Sequence, residues 1–376
     1  MLSGPALEAF QSSLLAWFSQ FQRDLPWRHT RDPYRIWLSE IMLQQTRVAA
    51  VIPYYERFLA RFPNVQSLAD APEEEVLRLW SGLGYYSRAR NLQKAAQKIV
   101  AEHGGEFPPD VGAALALPGI GAYTAAAILS IAYQEKLAVL DGNVARVLAR
   151  LGAMRGDLRA NGMWPKLQKA ASQLLDEESP GDWNQAMMEL GATLCTPRSP
   201  QCLLCPVSEF CEARKRGLTA EIPAKRMKRA TVEITLAALV LVDARGKTLL
   251  LPPPRKTKPS GAAGADDVPT LASRMWHFPT ISVKHASAAA DLRSFACKSV
   301  FRSKKLATEF VALKPVRHAV TYRSVTVIPF LCRVAKLPKV PGAKALRLQN
   351  LHQIAISNLT RKVARAAEKV MASAVG

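Results

Sequence analysis

Acidic residues nearly vanish from the second part of this chain. Beyond Glu212 there are 8 Asp and Glu against 31 Lys and Arg, whereas Met1 to Glu212 carries 22 against 20. That shortage argues against metal-assisted phosphate chemistry in the C-terminal part, because such chemistry needs clustered carboxylates. Long apolar runs are missing too. The best, Ala125 to Ala132, is well short of the roughly 20 residues that a spanning helix requires and reads as a buried helix. The first residues carry no basic leader and read as an amphipathic helix, so a signal peptide is not expected and a cytoplasmic, nucleoid-associated protein is. No internal repeat is visible. Strand-like patterns are absent from residues 1–212.

What is present begins with charge. The net +21 belongs to the C-terminal part alone, since residues 1–212 sum to −2 and the remainder to +23. So one-sided a field attracts polyanions, and it points to nucleic acid over a merely solvated surface. At 376 residues the chain is too long for one ordinary core, and two domains are expected. Apolar residues recur at helical spacing over Leu7–Phe21, Pro33–Ala50, Pro53–Arg61, Glu73–Trp80, Ser87–His103, Asp110–Ala116, Ala122–Tyr133, Asn143–Leu151, Trp164–Leu175 and Trp183–Leu194, with Pro, Gly, Asn or Asp between them. A basic stretch at 213–230 without periodicity reads as a linker. Strands are expected at Thr231–Val242, Thr248–Leu251, Leu306–Leu313 and Ser324–Val334, helices at Ala286–Phe301 and Ile354–Ala372, and a flexible loop at 256–270. The predicted architecture is an all-α domain over 1–212 followed by an α+β domain over 231–376.

Four of the six cysteines fall within 17 residues, at Cys195, Cys202, Cys205 and Cys211. In a cytosolic chain, thiols clustered so tightly on a Pro-punctuated loop argue for one metal centre rather than disulfides. Structural zinc usually takes two closely spaced Cys pairs, and here only Cys202 and Cys205 form one, which favours a wider iron–sulfur cluster. Between two apolar helices, Leu117-Pro-Gly-Ile-Gly121 forms a hairpin. Gly119 and Gly121 allow a sharp turn and uncover amide N–H groups at a helix N-terminus, which suits a DNA phosphate as well as a plain helix–helix connection. Glu40 has Ile36, Trp37, Leu43 and Gln44 three and four positions away, so its carboxylate lies on a largely apolar stripe. Burial there would raise its pKa toward neutrality, whereas a pairing with Arg47 would not. Asp141 follows the hairpin helix on a polar turn. Two carboxylates in unlike settings match the logic of glycosidic cleavage, one donating a proton to the leaving group and one facing the oxocarbenium-like carbon. Tyr85 and Tyr86 precede a helix that opens with Arg88 and Arg90, a pattern fit either for a core or for a wedge between bases with phosphate clamps.

These stretches, LPWR (25–28), WLSEIMLQQT (37–46), LWSGLGYYSRARNL (79–92), LPGIGAYTAAAILS (117–130), LDGNVARVLAR (140–150) and WNQAMMELGATLC (183–195) with the cysteine loop, resemble the MutY family of adenine-specific DNA glycosylases. That family lies within the helix–hairpin–helix glycosylase superfamily, which also contains endonuclease III. More weakly, RMWHFPT (274–280), RHAVTYRSVTVIPF (317–330) and AISNLTRKV (355–363) resemble the family's Nudix-like C-terminal domain. The resemblance implies excision of adenine mispaired with 8-oxoguanine or guanine in double-stranded DNA, by a monomer that flips the base out of the stack. It implies Glu40 as proton donor to adenine N7, Asp141 as stabiliser of the sugar cation, and Tyr123 and Asn143 as their supports. By the same carry-over Arg28 and Gln185 lie near the extruded adenine. Gln45 and Tyr85 fill the gap and contact the opposite base, with Thr46 beside it, and Gly119, Gly121 and Arg88 hold the backbone. The cysteines would carry a 4Fe–4S cluster, and other repair proteins are expected partners.

Two positions are informative within the resemblance. Where lyase relatives carry a Schiff-base lysine this chain has Tyr123, which implies a monofunctional enzyme. Where the family's lesion-sensing loop commonly reads Phe-Ser-His, the chain has Val320, Thr321 and Tyr322. Glycosylase action on another base, a bifunctional lyase and a non-catalytic iron–sulfur DNA sensor remain open alternatives to the adenine reading.

Overall fold

The computed structural model describes residues 2–224, 230–253, 275–303, 308–320 and 322–373. The expected loop at 256–270 and Thr321 lie outside them. Backbone contacts divide the chain into two compact units, Met1–Asp70 with Asn91–Met227, and Ala71–Arg90 with Lys228–Gly376. The segment Ala71–Arg90, whose sequence reads as part of the helical region, thus clusters with the C-terminal residues.

The first unit is helical, with no strand among its described residues. Its order is α1 (Pro5–Phe21), α2 (Pro33–Leu43), α3 (Val48–Arg61) and α4 (Val65–Ala69). Later in the chain come α6 (Ser87–His103), whose first turn falls in the other unit, α7 (Val111–Leu115), α8 (Ala122–Tyr133), α9 (Gly142–Leu151), α10 (Met163–Leu174), α11 (Pro180–Thr193) and α12 (Glu212–Lys215), with α5 (Glu73–Trp80) in the other unit. α8 is the axis. Every residue from Thr124 to Ile131 is buried, as an all-round apolar helix must be, and α2 and α11 both pack on it. Phe10, Leu14 and Phe18 on one stripe of α1 join the core formed by Val147, Leu167, Trp183 and Leu190, with Phe10 edge-on to Trp183 at 5.6 Å. Small residues set how close the helices come. A Cβ at Gly191 of α11 would lie 2.8 Å from the Cβ of Asn143 on α9, so only glycine permits this contact.

The continuous helix expected over Pro33–Ala50 is two helices. α2 stops at Leu43 and α3 starts at Val48, because Gln45 adopts φ +56° and a left-handed residue ends a helix. Pro53, read as a starting signal, is accommodated inside α3.

The second unit is a seven-stranded sheet in the order β4–β6–β1–β2–β7, with β3 paired to β1 and β5 to β6. The strands are β1 (Val232–Asp243), β2 (Lys247–Leu250), β3 (Thr280–Ser282), β4 (Val311–Ala312), β5 (Val316–Val320), β6 (Arg323–Val334) and β7 (Lys344–Arg347). β1 and β6 run parallel in register from Val232 opposite Arg323 to Asp243 opposite Val334. From Leu236 to Val242 the side chains of β1 are buried on both faces, which is why that part reads as an unbroken apolar run. Ile234, Leu236 and Val240 face the layer holding Leu359 and Val363 of α14 (Asn358–Ser373). Ala237, Leu239 and Leu241 face Leu292 of α13 (Ala288–Phe295) and Ala296 and Val300 of the π-turn that extends it. The strand expected at Leu306–Leu313 is confined, among described residues, to Val311–Ala312. The unexpected strands β3, β5 and β7 are short and partly exposed, with too few apolar positions to register as periodic.

Candidate active site

α2 begins where Asp32 caps it, accepting from the Tyr34 amide at 2.9 Å, with Pro33 at the first helical position, a helix start readable in the sequence. Two turns later the helix delivers Glu40 into the interior, 7% exposed. The hairpin before α8 turns at Gly119, whose φ is +82° and whose Cβ, if present, would lie 2.8 Å from Asn91 Cβ. Gly121 differs: its backbone is in the ordinary region and space around it is open, so the turn requires one glycine rather than two. No described side chain caps the α8 N-terminus. At the second residue of α8, Tyr123 donates its hydroxyl to Glu40 Oε2 at 2.7 Å and lies 3.3 Å from Met188 Sδ.

Asp141 is the N-cap of α9. It accepts from the amides of Asn143 at 2.9 Å and Val144 at 2.7 Å, and from Asn143 Nδ2 at 3.0 Å. The turn expected to be polar is thus half-buried but rich in donors. Burial pushes the Asp141 carboxyl above its usual range, and those three hydrogen bonds oppose the rise. Burial lifts Glu40 far more, to about 7; the Tyr123 hydroxyl pulls the other way, and the nearby Asp141 charge adds to the lift. Arg47 is not the partner of Glu40. Two carboxyl groups therefore share one neighbourhood, both harder to ionise than usual, and they differ in that Glu40 is lifted to about 7 while three donors work to keep Asp141 ionised.

A cleft of about 520 Å3 brings Glu40, Tyr123, Asp141 and Asn143 together, and Arg28, Gln185, Gln45 and Thr46 also line it. Tyr85 and Tyr322 belong to the second unit. Tyr322 lies under the Arg323 guanidinium, 5.4 Å from its ring centre. Arg88, assigned from sequence to a phosphate, is instead 9% exposed. Its guanidinium is packed on Trp80 at 5.3 Å and donates to Gly84 O at 3.2 Å, and burial lowers its pKa to about 10. In this position it braces its own turn.

Several residues in or behind the cleft escape a reading by motif. Glu189 has no exposed side-chain area, yet it is ionised. Burial pushes its carboxyl up, but bonds from Arg23 at 2.7 and 2.6 Å and from Arg28 at 2.6 Å hold it down at about 2. Arg28 is thereby aimed, its Nη1 donating to Arg23 O at 2.9 Å. Arg146 ties Asn143 Oδ1 at 3.0 Å, Gly191 O at 2.7 Å and Cys195 O at 2.8 Å into one buried fan. The spacing of Asn143, Arg146 and Arg150 on one face of α9 is the sequence signal that would have found it.

All four clustered cysteines line a single small cavity with Arg150. Arg150 Nη1 donates to Cys195 Sγ at 3.3 Å and to Thr196 O at 2.8 Å, a cation placed to meet thiolate charge. Among the described residues no three Cys, His, Asp or Glu side chains converge closely enough for a single metal ion. Four sulfurs lining one cavity fit an iron–sulfur cluster.

Residues 38–172 match the HhH-GPD superfamily base excision DNA repair protein family, and 195–211 match the iron–sulfur binding domain of endonuclease III. The chain is 49% identical over 225 residues to the adenine DNA glycosylase of Mus musculus, covering 57% of this chain and 44% of that protein. To the adenine DNA glycosylase of Buchnera aphidicola it is 40% identical over 221 residues, covering 58% and 63%. The chain thus spans less than two thirds of either relative. The solved structure of a thermostable thymine-DNA glycosylase superposes with a TM-score of 0.52 at 31% identity, over 56% of this chain and 97% of that one.

Proposed function

Because the chain belongs to the HhH-GPD superfamily of base excision DNA repair proteins, we propose that it is a monofunctional adenine DNA glycosylase acting on adenine opposite 8-oxoguanine or guanine in duplex DNA. The observation that carries this reading is the Glu40–Tyr123 hydrogen bond of 2.7 Å, beside an Asp141 whose ionised form is held by three donors.

In the proposed reaction the adenine is flipped into the cleft, at the cost of a few kcal/mol of unstacking. Glu40, protonated near neutral pH, gives its proton to adenine N7. The N9–C1′ bond then breaks with both electrons leaving on the base. C1′ becomes oxocarbenium-like, and the Asp141 carboxylate offsets that charge. Water adds to C1′ and loses its proton toward Asp141, leaving an abasic sugar. Asn143 keeps Asp141 oriented, and the Glu189–Arg28 pair presents a fixed cationic donor to the base. Tyr123 is a phenol whose pKa burial raises well above 10. It offers no amine at this position from which an imine route to strand cleavage could start.

The cluster we assign to Cys195, Cys202, Cys205 and Cys211 is of the 4Fe–4S type. Those thiolates would hold it, with Arg150 donating to Cys195 Sγ, and it would supply a structural tie for the loop beside α9. We assign the helical unit to catalysis; the stretch expected as a linker from 213 packs at its start on that unit, with Ala213 and Ile222 buried in the core. Residues 231–376 are assigned to a Nudix-like unit that senses the opposite base through Val320, Thr321 and Tyr322. The excess of basic residues beyond Glu212 supports a DNA partner, with other repair proteins as further partners of a cytoplasmic, nucleoid-associated monomer.

The test is a panel of duplexes carrying adenine opposite 8-oxoguanine, guanine or thymine, thymine opposite guanine, and an oxidised pyrimidine. Adenine release from the first two, leaving alkali-labile but uncleaved strands, is the expected result. Release only of another base, or borohydride trapping of protein on abasic DNA, would overturn it.

A further inference from the structure

The turn between α5 and α6 is unusually contorted and unusually well held. Gly82, Gly84 and Tyr85 all have positive φ, at 120°, 75° and 48°. Tyr85 is the costly member, because a side chain in the left-handed region persists only where its surroundings impose it. The residue is 42% exposed. From inside the turn, Trp80 Nε1 and Arg88 Nη2 both donate to Gly84 O, at 3.1 and 3.2 Å, and the Arg88 guanidinium lies 5.5 Å from the Tyr85 ring centre.

From the other side the same turn is gripped by residues almost 280 positions away in the same unit. Arg361 Nη2 donates to Ser81 Oγ at 2.7 Å, and Ser81 Oγ donates to Ile356 O at 2.7 Å. Asn358 Nδ2 donates to Gly82 O at 3.0 Å. Asn358 and Arg361 stand three apart on the first turn of α14, so both face the same way. Nearby, Glu74 of α5 accepts from Trp276 Nε1 at 3.0 Å and Lys344 Nζ at 2.7 Å. Helix α5 and the turn are therefore pinned at two points, and Ser81 is buried between them.

We propose that Asn358 and Arg361 are positioning residues that act through the Ser81–Gly82 backbone to hold Tyr85 in its exposed, left-handed conformation for insertion into mispaired DNA. This makes the start of the C-terminal helix a determinant of how firmly the enzyme distorts its duplex. The inference rests on the proposed function for what Tyr85 meets, but not for the clamp itself.

Two measurements test it. In DNA-free protein, Asn358→Ala with Arg361→Ala should raise amide hydrogen exchange across residues 82–86 by about tenfold or more, with unchanged exchange in α8 and unchanged cluster absorbance. Affinity is then measured for a duplex carrying a non-hydrolysable 2′-fluoro adenosine opposite 8-oxoguanine. Arg361→Ala should weaken it roughly tenfold, Arg361→Lys should largely restore it, and Arg361→Ala should change it by less than about twofold when Tyr85 is already alanine. Unchanged exchange at 82–86 would overturn the proposal, and so would an equal loss of affinity with and without Tyr85. The exchange measurement needs no DNA. A wild type without preference for the mispair would therefore count against the functional reading, while the clamp would still be decided by exchange.

Discussion

Glu40 spends its working life at the edge of ionisation. Burial lifts it to about 7 from an ordinary 4.5, so the folded protein keeps a proton that the unfolded chain releases. The stability this group contributes is complete below pH 4.5 and is lost as pH rises through 7, a difference on the order of 3 kcal/mol. Glutamine keeps an acceptor for the Tyr123 hydroxyl and carries no charge. Glu40→Gln should therefore be more stable than the wild type by roughly 3 kcal/mol at pH 8.5 and by no more than about 1 kcal/mol at pH 5. Urea denaturation at the two pH values checks it, and equal stabilisation at both would contradict it. The stripe of Ile36, Trp37 and Leu43 made this residue legible, because a carboxylate on an apolar face has few places to go but inward. Glu189 was not legible. A glutamate near a helix end reads as solvated, and its two arginines come from residues more than 160 positions away. Arg88 misled for the converse reason: charge suggests surface, while Trp80 and Gly84 O hold it inside.

At the scale of elements, caps and glycines carried most of the information. Asp32, Asp110 and Asp141 each precede a helix and each caps it, and the helix starts were placed within a few residues on that basis. What the local pattern could not show is a left-handed residue other than glycine. Gln45 breaks an apolar periodicity that otherwise runs on, and Tyr85 takes up the left-handed region in a gap already readable between two helices. The hairpin offers a direct contrast. Gly119→Ala meets both a positive φ and the Cβ of Asn91, and should cost about 1–3 kcal/mol. Gly121→Ala, with an ordinary backbone and open space, should be within about 1 kcal/mol of neutral. Thermal melts of the two variants separate these outcomes. Equal losses would mean that both glycines are needed for shape.

The whole molecule joins a helical unit, whose cleft gathers the proton-handling groups, to a strongly basic sheet unit whose fold borrows Ala71–Arg90 from the middle of the helical sequence. That exchange is invisible to periodicity, because α5 looks like any amphipathic helix until its partners Trp276 and Lys344 are known. The cysteine loop, by contrast, was legible from spacing alone. It is tied to the cleft through Arg146, which links Cys195 O to Asn143. Cys205→Ser should therefore remove the visible absorbance of the cluster, lower the melting temperature by several degrees, and slow base excision along with it. Full activity in a cluster-free protein would sever that link. The most direct test of the functional reading is single-turnover adenine release from a duplex carrying adenine opposite 8-oxoguanine, with wild type and Glu40→Gln compared across pH 5 to 9. The wild type should release adenine with a rate that falls above about pH 7, and Glu40→Gln should bind the same duplex while releasing adenine at least about a hundredfold more slowly. Release by Glu40→Gln at the wild-type rate, or no release by the wild type, would contradict it.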